Sequence, residues 1–295
     1  MSFIKFTEDE MVKRLRWPMV ALIIFSMANT LAGQPAGYWH NPALAIRGDG
    51  LSINNPTNHT FEFFLGSGWI PFATAALVYL TTMFLLASAL PRKLALVFIF
   101  SVIFGHYYGA SNWLAIRWHL GIAGPSYLGF VLVMFIVFAA FPADEARHTV
   151  KTARWIMLFA MLADATATLI GQPAGYWHNP SLVYEGNAIS KFFLLQGWYA
   201  YALEQVVIGL VLYQVISVLS GRWALVVSIG FTFMGFIGSS NWFFYSWRLG
   251  WPVLVAWGCV LSIGIVFSIF SGKGKCISAQ RAAPPGAIGL LCRLC

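Results

Sequence analysis

Apolar residues occupy long, continuous stretches of this chain, and polar residues are gathered in the short segments between them. The stretches lack the alternation of apolar and polar positions that is typical of a half-buried strand. A helix of about 20 apolar residues crosses the hydrocarbon layer of a membrane, where the chain must satisfy its own backbone hydrogen bonds. The pattern therefore predicts about eight transmembrane helices, at residues 17–33, 69–90, 94–116, 122–141, 154–170, 198–219, 223–245 and 251–271.

The composition agrees with an all-α integral membrane protein. Hydrophobic residues make up 59% of the chain and charged residues only 9%, whereas a soluble domain carries about 25% charged residues. The first apolar stretch follows a charged segment and so resembles a signal peptide. Its counterpart in the fifth stretch, deep inside the chain, indicates instead that it is a retained helix.

A ten-residue sequence, Gly-Gln-Pro-Ala-Gly-Tyr-Trp-His-Asn-Pro, occurs twice without change, at residues 33–42 and 171–180. Two further groups of matches follow at a constant offset of 129 residues. These are Phe-Phe-Leu with Gly-Trp (63–69 and 192–198) and Ser-Asn-Trp (111–113 and 240–242). We infer a duplicated unit of four helices.

The duplication predicts how the chain is organised. A unit with an even number of spans enters the membrane in the same direction each time, so we expect parallel repeats related by a pseudo-twofold axis along the membrane normal. The expected segments are a cytoplasmic N-terminal segment (1–16), the first repeat (17–141), a cytoplasmic linker (142–153), the second repeat (154–271) and a cytoplasmic tail (272–295).

The basic residues predict the orientation. Fourteen of the eighteen Lys and Arg residues lie on the side of the predicted membrane that holds both termini. The positive-inside rule therefore places the termini in the cytoplasm and the structured loops with the repeated motifs outside. This distribution accounts for the net charge of +8 without a nucleic-acid partner. The expected partners are membrane lipid, including anionic headgroups, and other membrane subunits or a second copy of the chain.

The strong matches lie on the outer side, whereas the predicted cytoplasmic turns show little resemblance. One interpretation is structural: prolines and glycines form turns, and the loop caps the helix ends. The other is functional, since amide, imidazole and aromatic groups supplied twice would line a pocket for a small polar solute, a sugar or a quinone-like ring. The candidate ligand-binding residues are Gln34, Tyr38, Trp39, His40, Asn41, Asn112, Trp113, Gln172, Tyr176, Trp177, His178, Asn179, Asn241 and Trp242.

The same loops offer weak candidates for metal binding. His40 and His178 occupy equivalent positions, but zinc normally takes at least three protein ligands. Further ligands would have to come from the longer first loop, which contains Asp49, His59 and Glu62. The sequence does not indicate a cofactor.

Ionisable residues inside predicted spans are costly and usually face a cavity or a partner. We predict proton-handling roles for Asp164, Glu204 and His106; Arg117 lies near the outer end of the third span. The other half of the chain has Ser26, Ala75, Gly235 and Ser246 at the equivalent positions. A symmetric frame with an asymmetric charged interior is typical of a proton-coupled transporter. The alternative is that these side chains pair with neighbours and only fix the packing of the helices.

The sequence contains none of the common catalytic or nucleotide-binding motifs. The first functional hypothesis is therefore transport or channel-like handling of a small solute at an outward-facing site. A non-catalytic subunit of a larger membrane assembly, in contact with partner chains, lipid or pigment, is the second. A membrane-embedded enzyme with a histidine and carboxylate site at the outer surface is the third.

Overall fold

The computed structural model describes residues 8–45, 63–243, 247 and 249–282, and within these residues the chain is helical and contains no strand. Residues 63–66 are helical as well. The α-helices are α1 (Glu8–Ala32), α2 (Trp69–Ala89), α3 (Arg92–Asn112), α4 (Ala123–Ala140), α5 (Ala143–Ile170), the short α6 (Ala188–Gln196), α7 (Trp198–Val218), α8 (Gly221–Asn241) and α9 (Gly250–Ala282).

Eight of these helices, all except α6, are long and apolar enough to cross a membrane. The prediction of about eight apolar helices is therefore confirmed at the level of length and composition. Two begin about ten residues earlier than predicted. Helix α1 begins at Glu8, and residues 143–153, predicted as a linker, form the first turns of α5. Asp144 and Glu145 in the first turn of α5 favour this start, because carboxylates stabilise the positive end of the helix dipole.

Contacts made by α4 determine which helix ends lie together. Near the end of α3, the hydroxyl of Tyr107 donates a hydrogen bond to the carbonyl oxygen of Pro125, at the start of α4 (2.9 Å). At the start of α8, Nε of Arg222 donates to the carbonyl oxygen of Phe141, just after α4 (2.9 Å). Helices α3 and α8 therefore run in the same direction. Their C-terminal ends define what we call the motif end of the bundle. The opposite end, where α3 begins at Arg92 and α8 begins at Gly221, is called the basic end.

Helices α3 and α8 form the centre of the bundle. The ring centroids of Phe104 and Phe233 are 4.4 Å apart. Phe104 also packs on Phe236 at 4.7 Å, and Tyr107 packs on Phe233 at 5.1 Å. Helices α2 and α7 lie at the periphery, where only a few of their side chains are buried.

The basic end carries a repeated feature that the sequence analysis missed. The guanidinium of Arg16 lies over the ring of Phe84 (5.0 Å), and that of Arg154 lies over the ring of Tyr213 (4.5 Å). The tryptophan that follows each arginine packs on the same ring, at 6.3 and 5.8 Å. The two Arg-Trp pairs are 138 residues apart, which is also the offset of the ten-residue sequence. The halves therefore resemble each other at the basic end as well, in a match of two residues that is weaker than those at the motif end.

Candidate functional site

Both copies of the ten-residue sequence adopt the same local structure. Each forms a 3-10 helix (Ala36–Trp39 or Ala174–Trp177) and then, after a histidine and an asparagine, a second 3-10 helix (Pro42–Leu44 or Pro180–Leu182). The asparagine between them caps the second helix: Asn41 Oδ1 accepts from the backbone N–H of Ala43 and Asn179 Oδ1 from that of Ser181, both at 3.1 Å. The asparagine side chains thus stabilise a turn.

The tyrosine of each copy joins the ten-residue sequence to the Phe-Phe-Leu motif. The hydroxyl of Tyr38 donates to the carbonyl oxygen of Leu65, and that of Tyr176 donates to the carbonyl oxygen of Leu194, both at 3.0 Å. Both tyrosines are almost completely buried. Their hydroxyl donors are therefore used within the protein.

The first glycine of each copy joins the same sequence to the Ser-Asn-Trp motif. The ring of Trp113 lies against Gly33, and the ring of Trp242 lies against Gly171, so that a Cβ atom at either glycine would collide with the ring. The three groups of repeated residues are therefore in contact within each half. This packing explains their similarity without a ligand.

The glutamines also bond within the protein. Nε2 of Gln34 donates to the carbonyl oxygen of Thr30 (3.1 Å). Nε2 of Gln172 donates to the carbonyl oxygens of Thr168 and Tyr184 (both 3.0 Å), while its Oε1 accepts from the N–H of Tyr184 (2.9 Å). Gln172 therefore ties the end of α5 to the loop that follows the second copy.

Six other predicted ligand-binding residues are exposed or partly buried. Trp39, Trp177, His40 and His178 are exposed. Asn112 is half-buried, and Oδ1 of Asn241 is buried without a hydrogen-bond partner among the described residues. The binding of a ligand by any of these residues stays a prediction.

The described part of the chain contains no group of three His, Cys, Asp or Glu side chains suited to hold a metal ion. Two metal-ligand candidates, His40 and His178, belong to this part. The other three, Asp49, His59 and Glu62, lie outside the described residues. The hypothesis of a metal site at the outer loops therefore stays a prediction.

Two of the three predicted proton-handling residues belong to one group of carboxylates near the motif end of the second half. Asp164 on α5 and Glu204 on α7 each interact electrostatically with Glu185, which lies in the loop before α6. Glu204 is almost fully buried, and its Oε2 accepts from Nε2 of Gln205 (3.2 Å). We call Asp164, Glu185 and Glu204 the acid cluster.

Tyr201 lies among these carboxylates. It is almost completely buried on α7 and interacts electrostatically with all three members of the acid cluster and with the side chain of Thr168. Sequence reasoning missed Tyr201 and Glu185. The available signal was spacing, because Tyr201 precedes Glu204 by three residues and so shares its helix face.

The carboxyl group of Glu185 lies in the loop before α6, outside the eight long apolar helices. Burial raises the pKa of Glu185, and hydrogen bonds from the backbone N–H groups of Asn187 and Gly186 partly oppose this shift. The bond from Asn187 to Oε1 is 2.7 Å long. The loop therefore holds a carboxyl group whose charged form is penalised by its surroundings.

A glycine on α8 leaves room for Asp164. A Cβ atom at Gly238 would collide with the Asp164 carboxylate, whereas a Cβ atom at the equivalent Gly109 would lie 3.9 Å from Oγ of Ser26. Ser26 is the equivalent of Asp164. The second half thus places a carboxylate against a glycine where the first half places a hydroxyl group.

The third predicted proton-handling residue, His106, lies in the other half. Its Nε2 is 3.1 Å from the hydroxyl of Tyr79, and the two rings are 5.5 Å apart. Arg117, also in the first half, donates from Nε to the carbonyl oxygen of Gly33 (2.7 Å). The structure therefore brings Asp164 and Glu204 into one group and leaves His106 and Arg117 in separate contacts.

Within the described residues the fold is all-helical, and eight of its helices are compatible with a polytopic membrane protein. Comparison of the chain with models of known families, with curated proteins and with solved structures finds no match.

Proposed function

We propose that the chain is a multi-pass integral membrane protein whose termini are cytoplasmic and whose motif end faces outward. The positive-inside rule supports this orientation. Two basic residues of the described chain, Arg117 and Lys191, lie towards the motif end. The basic end carries Lys13, Arg14, Arg16, Arg92, Lys93, Arg147, Lys151, Arg154 and Arg222.

We further propose that the two halves are parallel four-helix repeats related by a pseudo-twofold axis. Under such an axis every contact between halves has a partner with the two halves exchanged. At the offset of 129 residues, Phe233 is the equivalent of Phe104, and Phe236 is the equivalent of Tyr107. The contact between Phe104 and Phe236 therefore predicts one between Phe233 and Tyr107, and both contacts are present. Phe104 and Phe233 are equivalent residues in contact with each other, which would place their rings at the axis.

The function that the geometry supports best is proton-coupled transport of a small solute. The acid cluster carries this proposal, because two of its members belong to membrane-spanning helices and the first half has Ser26 and Ala75 in their places. Charged groups within a membrane usually serve an ion or proton path. Glu185 interacts with both other carboxylates, and such a group is stabilised by taking up a proton or a cation.

The exposed side chains of the motif end supply the proposed solute contacts. His40 and His178 offer hydrogen bonds, and the tryptophan beside each offers an aromatic face. This combination suits a small polar or ring-shaped solute. Solute would bind there, and the acid cluster of the second half would take up and release the coupled proton.

Reconstitution into liposomes that enclose a pH-sensitive dye tests this function. The measurement is proton entry on addition of sugars, amino acids or small organic anions under a pH gradient. We expect one of these classes to start proton entry in the wild-type protein and not in the Asp164→Asn or Glu204→Gln variants. Asp144→Asn, an exposed carboxylate on the same helix, is the matched control. Proton and solute movement at the wild-type rate in both cluster variants would refute the proposal.

A subunit of a larger membrane assembly is the second candidate. Helices α2 and α7 support it, because each buries few side chains and leaves large apolar residues such as Leu77 and Leu203 exposed. Lipid or a partner chain would cover these faces. Native mass spectrometry after gentle extraction distinguishes the transporter from the assembly subunit, because a stoichiometric partner chain would favour the subunit.

A further inference from the structure

The basic end contains a cavity of about 140 Å³ between α1 and the turn that joins α2 to α3. Three cationic side chains line it: Lys13 and Arg16 from α1, and Arg92 from the start of α3. Asp9 is the acidic residue in its wall. The cavity lies at the opposite end of the bundle from the acid cluster, so its role is independent of proton-coupled transport.

The charges in this cavity are not balanced. The carboxylate of Asp9 forms an ion pair with Nε of Arg92, which leaves Lys13 and Arg16 as excess positive charge. These two residues are three positions apart, so they share one face of α1. Nη1 of Arg16 donates to Oγ of Ser88, while its Nε is buried without a hydrogen-bond partner among the described residues.

The second half has the same cations in a different setting. Lys151 and Arg154 are the equivalents of Lys13 and Arg16. The small Ala87, which lines the cavity, is replaced by Ile216, which is almost fully buried. Gly221 stands where the first half has Arg92. Arg147 stands where the first half has Asp9, so the equivalent positions hold three cations in each half. The larger side chain of Ile216 therefore distinguishes the second half, which makes it a control within the same molecule.

We propose that the cavity binds the phosphate group of an anionic ligand, and specifically the headgroup of an anionic phospholipid. Guanidinium and ammonium groups are the side chains that recognise phosphate. Lys13 is exposed at the cavity and can reach a bound anion. Basic pockets between transmembrane helices at the cytoplasmic face bind such headgroups. In the proposed orientation this cavity lies at that face. Free phosphate shares the same chemistry and is the alternative source.

Native mass spectrometry of the full chain, released from nanodiscs, tests the site. The probes are phosphatidylglycerol and the zwitterionic phosphatidylcholine. We expect the wild-type protein to retain one phosphatidylglycerol molecule more than the Ala87→Ile variant, which fills the cavity as Ile216 does in the second half. Arg16→Gln should reduce this retention about tenfold, and Lys13→Gln, an exposed position, by a smaller factor. The matched control Arg154→Gln should retain the lipid as the wild-type protein does.

Inorganic phosphate, added to the protein in phosphatidylcholine nanodiscs, distinguishes the two sources. A rise in the melting temperature that Ala87→Ile abolishes, without retention of phosphatidylglycerol, would assign the site to a soluble phosphate. Equal retention of both lipids, or retention unchanged by Ala87→Ile and by Lys13→Gln, would overturn the proposal. Lys13→Gln keeps the test decisive if the Ala87→Ile chain does not fold.

Discussion

At the scale of single residues, Gly238 and Asp164 form the contact that most clearly separates the two halves. The carboxylate occupies the space that a Cβ atom at Gly238 would need. The equivalent Gly109 faces only the hydroxyl of Ser26, at an ordinary contact distance of 3.9 Å. The same glycine therefore has different neighbours in the two halves, which gives a matched pair of substitutions.

We expect Gly238→Ala to lower the free energy of unfolding by about 1–3 kcal/mol, because the added methyl group overpacks the contact with Asp164. Gly109→Ala should be neutral or slightly stabilising, since alanine favours a helix. Denaturation by SDS in mixed micelles measures both. Asp164→Ser, which copies Ser26, should restore stability to the Gly238→Ala protein. Equal losses for the two alanine variants would contradict this account of the contact.

Glu185 should give stability a pH dependence at the motif end. Burial raises its pKa in the folded protein, so its contribution to stability is complete below the unfolded pKa of about 4.3 and is lost as pH rises through the folded value. We therefore expect the wild-type protein to lose stability relative to Glu185→Gln as pH rises from about 4 towards neutrality.

Melting temperatures of the two proteins across this pH range provide the measurement. Glutamine keeps the side-chain oxygen that accepts from the N–H of Asn187, so the loop should stay folded. Asp164, Glu204 and Tyr201 interact with Glu185 and are present in both proteins. Parallel curves for wild type and Glu185→Gln would show that the burial of this carboxyl group has no effect.

At the scale of the helices, two glycines determine how α2 and α7 begin. Gly68 and Gly197 are the N-caps of these helices, and both have φ of 118°. Only glycine adopts this conformation without strain. The following tryptophan in each half then opens the helix at the motif end. This backbone requirement explains why Gly-Trp is repeated.

Alanine at either position should destabilise the protein by about 1–3 kcal/mol, because φ is positive there. The control is Gly186→Ala, at which an added Cβ would meet no atom within 4 Å and φ is not positive. Thermal unfolding in detergent compares the three variants. A loss for Gly186→Ala as large as those for Gly68→Ala and Gly197→Ala would mean that glycine in these loops matters for another reason.

At the level of the entire chain, the rings of α3 and α8 form the central contact between the halves, which also meet where α9 packs on α3 and α4 packs on α8. Phe104 and Phe233 are fully buried, with ring centroids 4.4 Å apart. Each Phe→Ala variant should lose about 3–5 kcal/mol of stability. The double variant should lose less than the sum, with a coupling energy of about 0.5–3 kcal/mol. Additive losses would show that the two rings do not stabilise each other.

Much of the helical architecture could be predicted, because the sequence has the pattern that lipid imposes on a spanning chain. Continuous apolar stretches must become helices, and the helix length follows from the thickness of the hydrocarbon layer. Helix ends were less predictable. Charged segments such as residues 143–153 resemble loops in composition, although nothing prevents a helix from continuing beyond the membrane.

Sequence and tertiary structure contributed differently to the candidate site. The amino-acid pattern alone predicts the helical class, the approximate number of long apolar helices and the repeated residues, because these follow from local composition and identity. It also identifies Asp164 and Glu204 as costly charges in apolar segments. The packing of the helices was needed to show that Tyr38, Gln172 and their neighbours are occupied within the protein, and that Glu185 and Tyr201 join the two carboxylates. Those outcomes depend on contacts between residues far apart in the chain, which the packing of the helices creates.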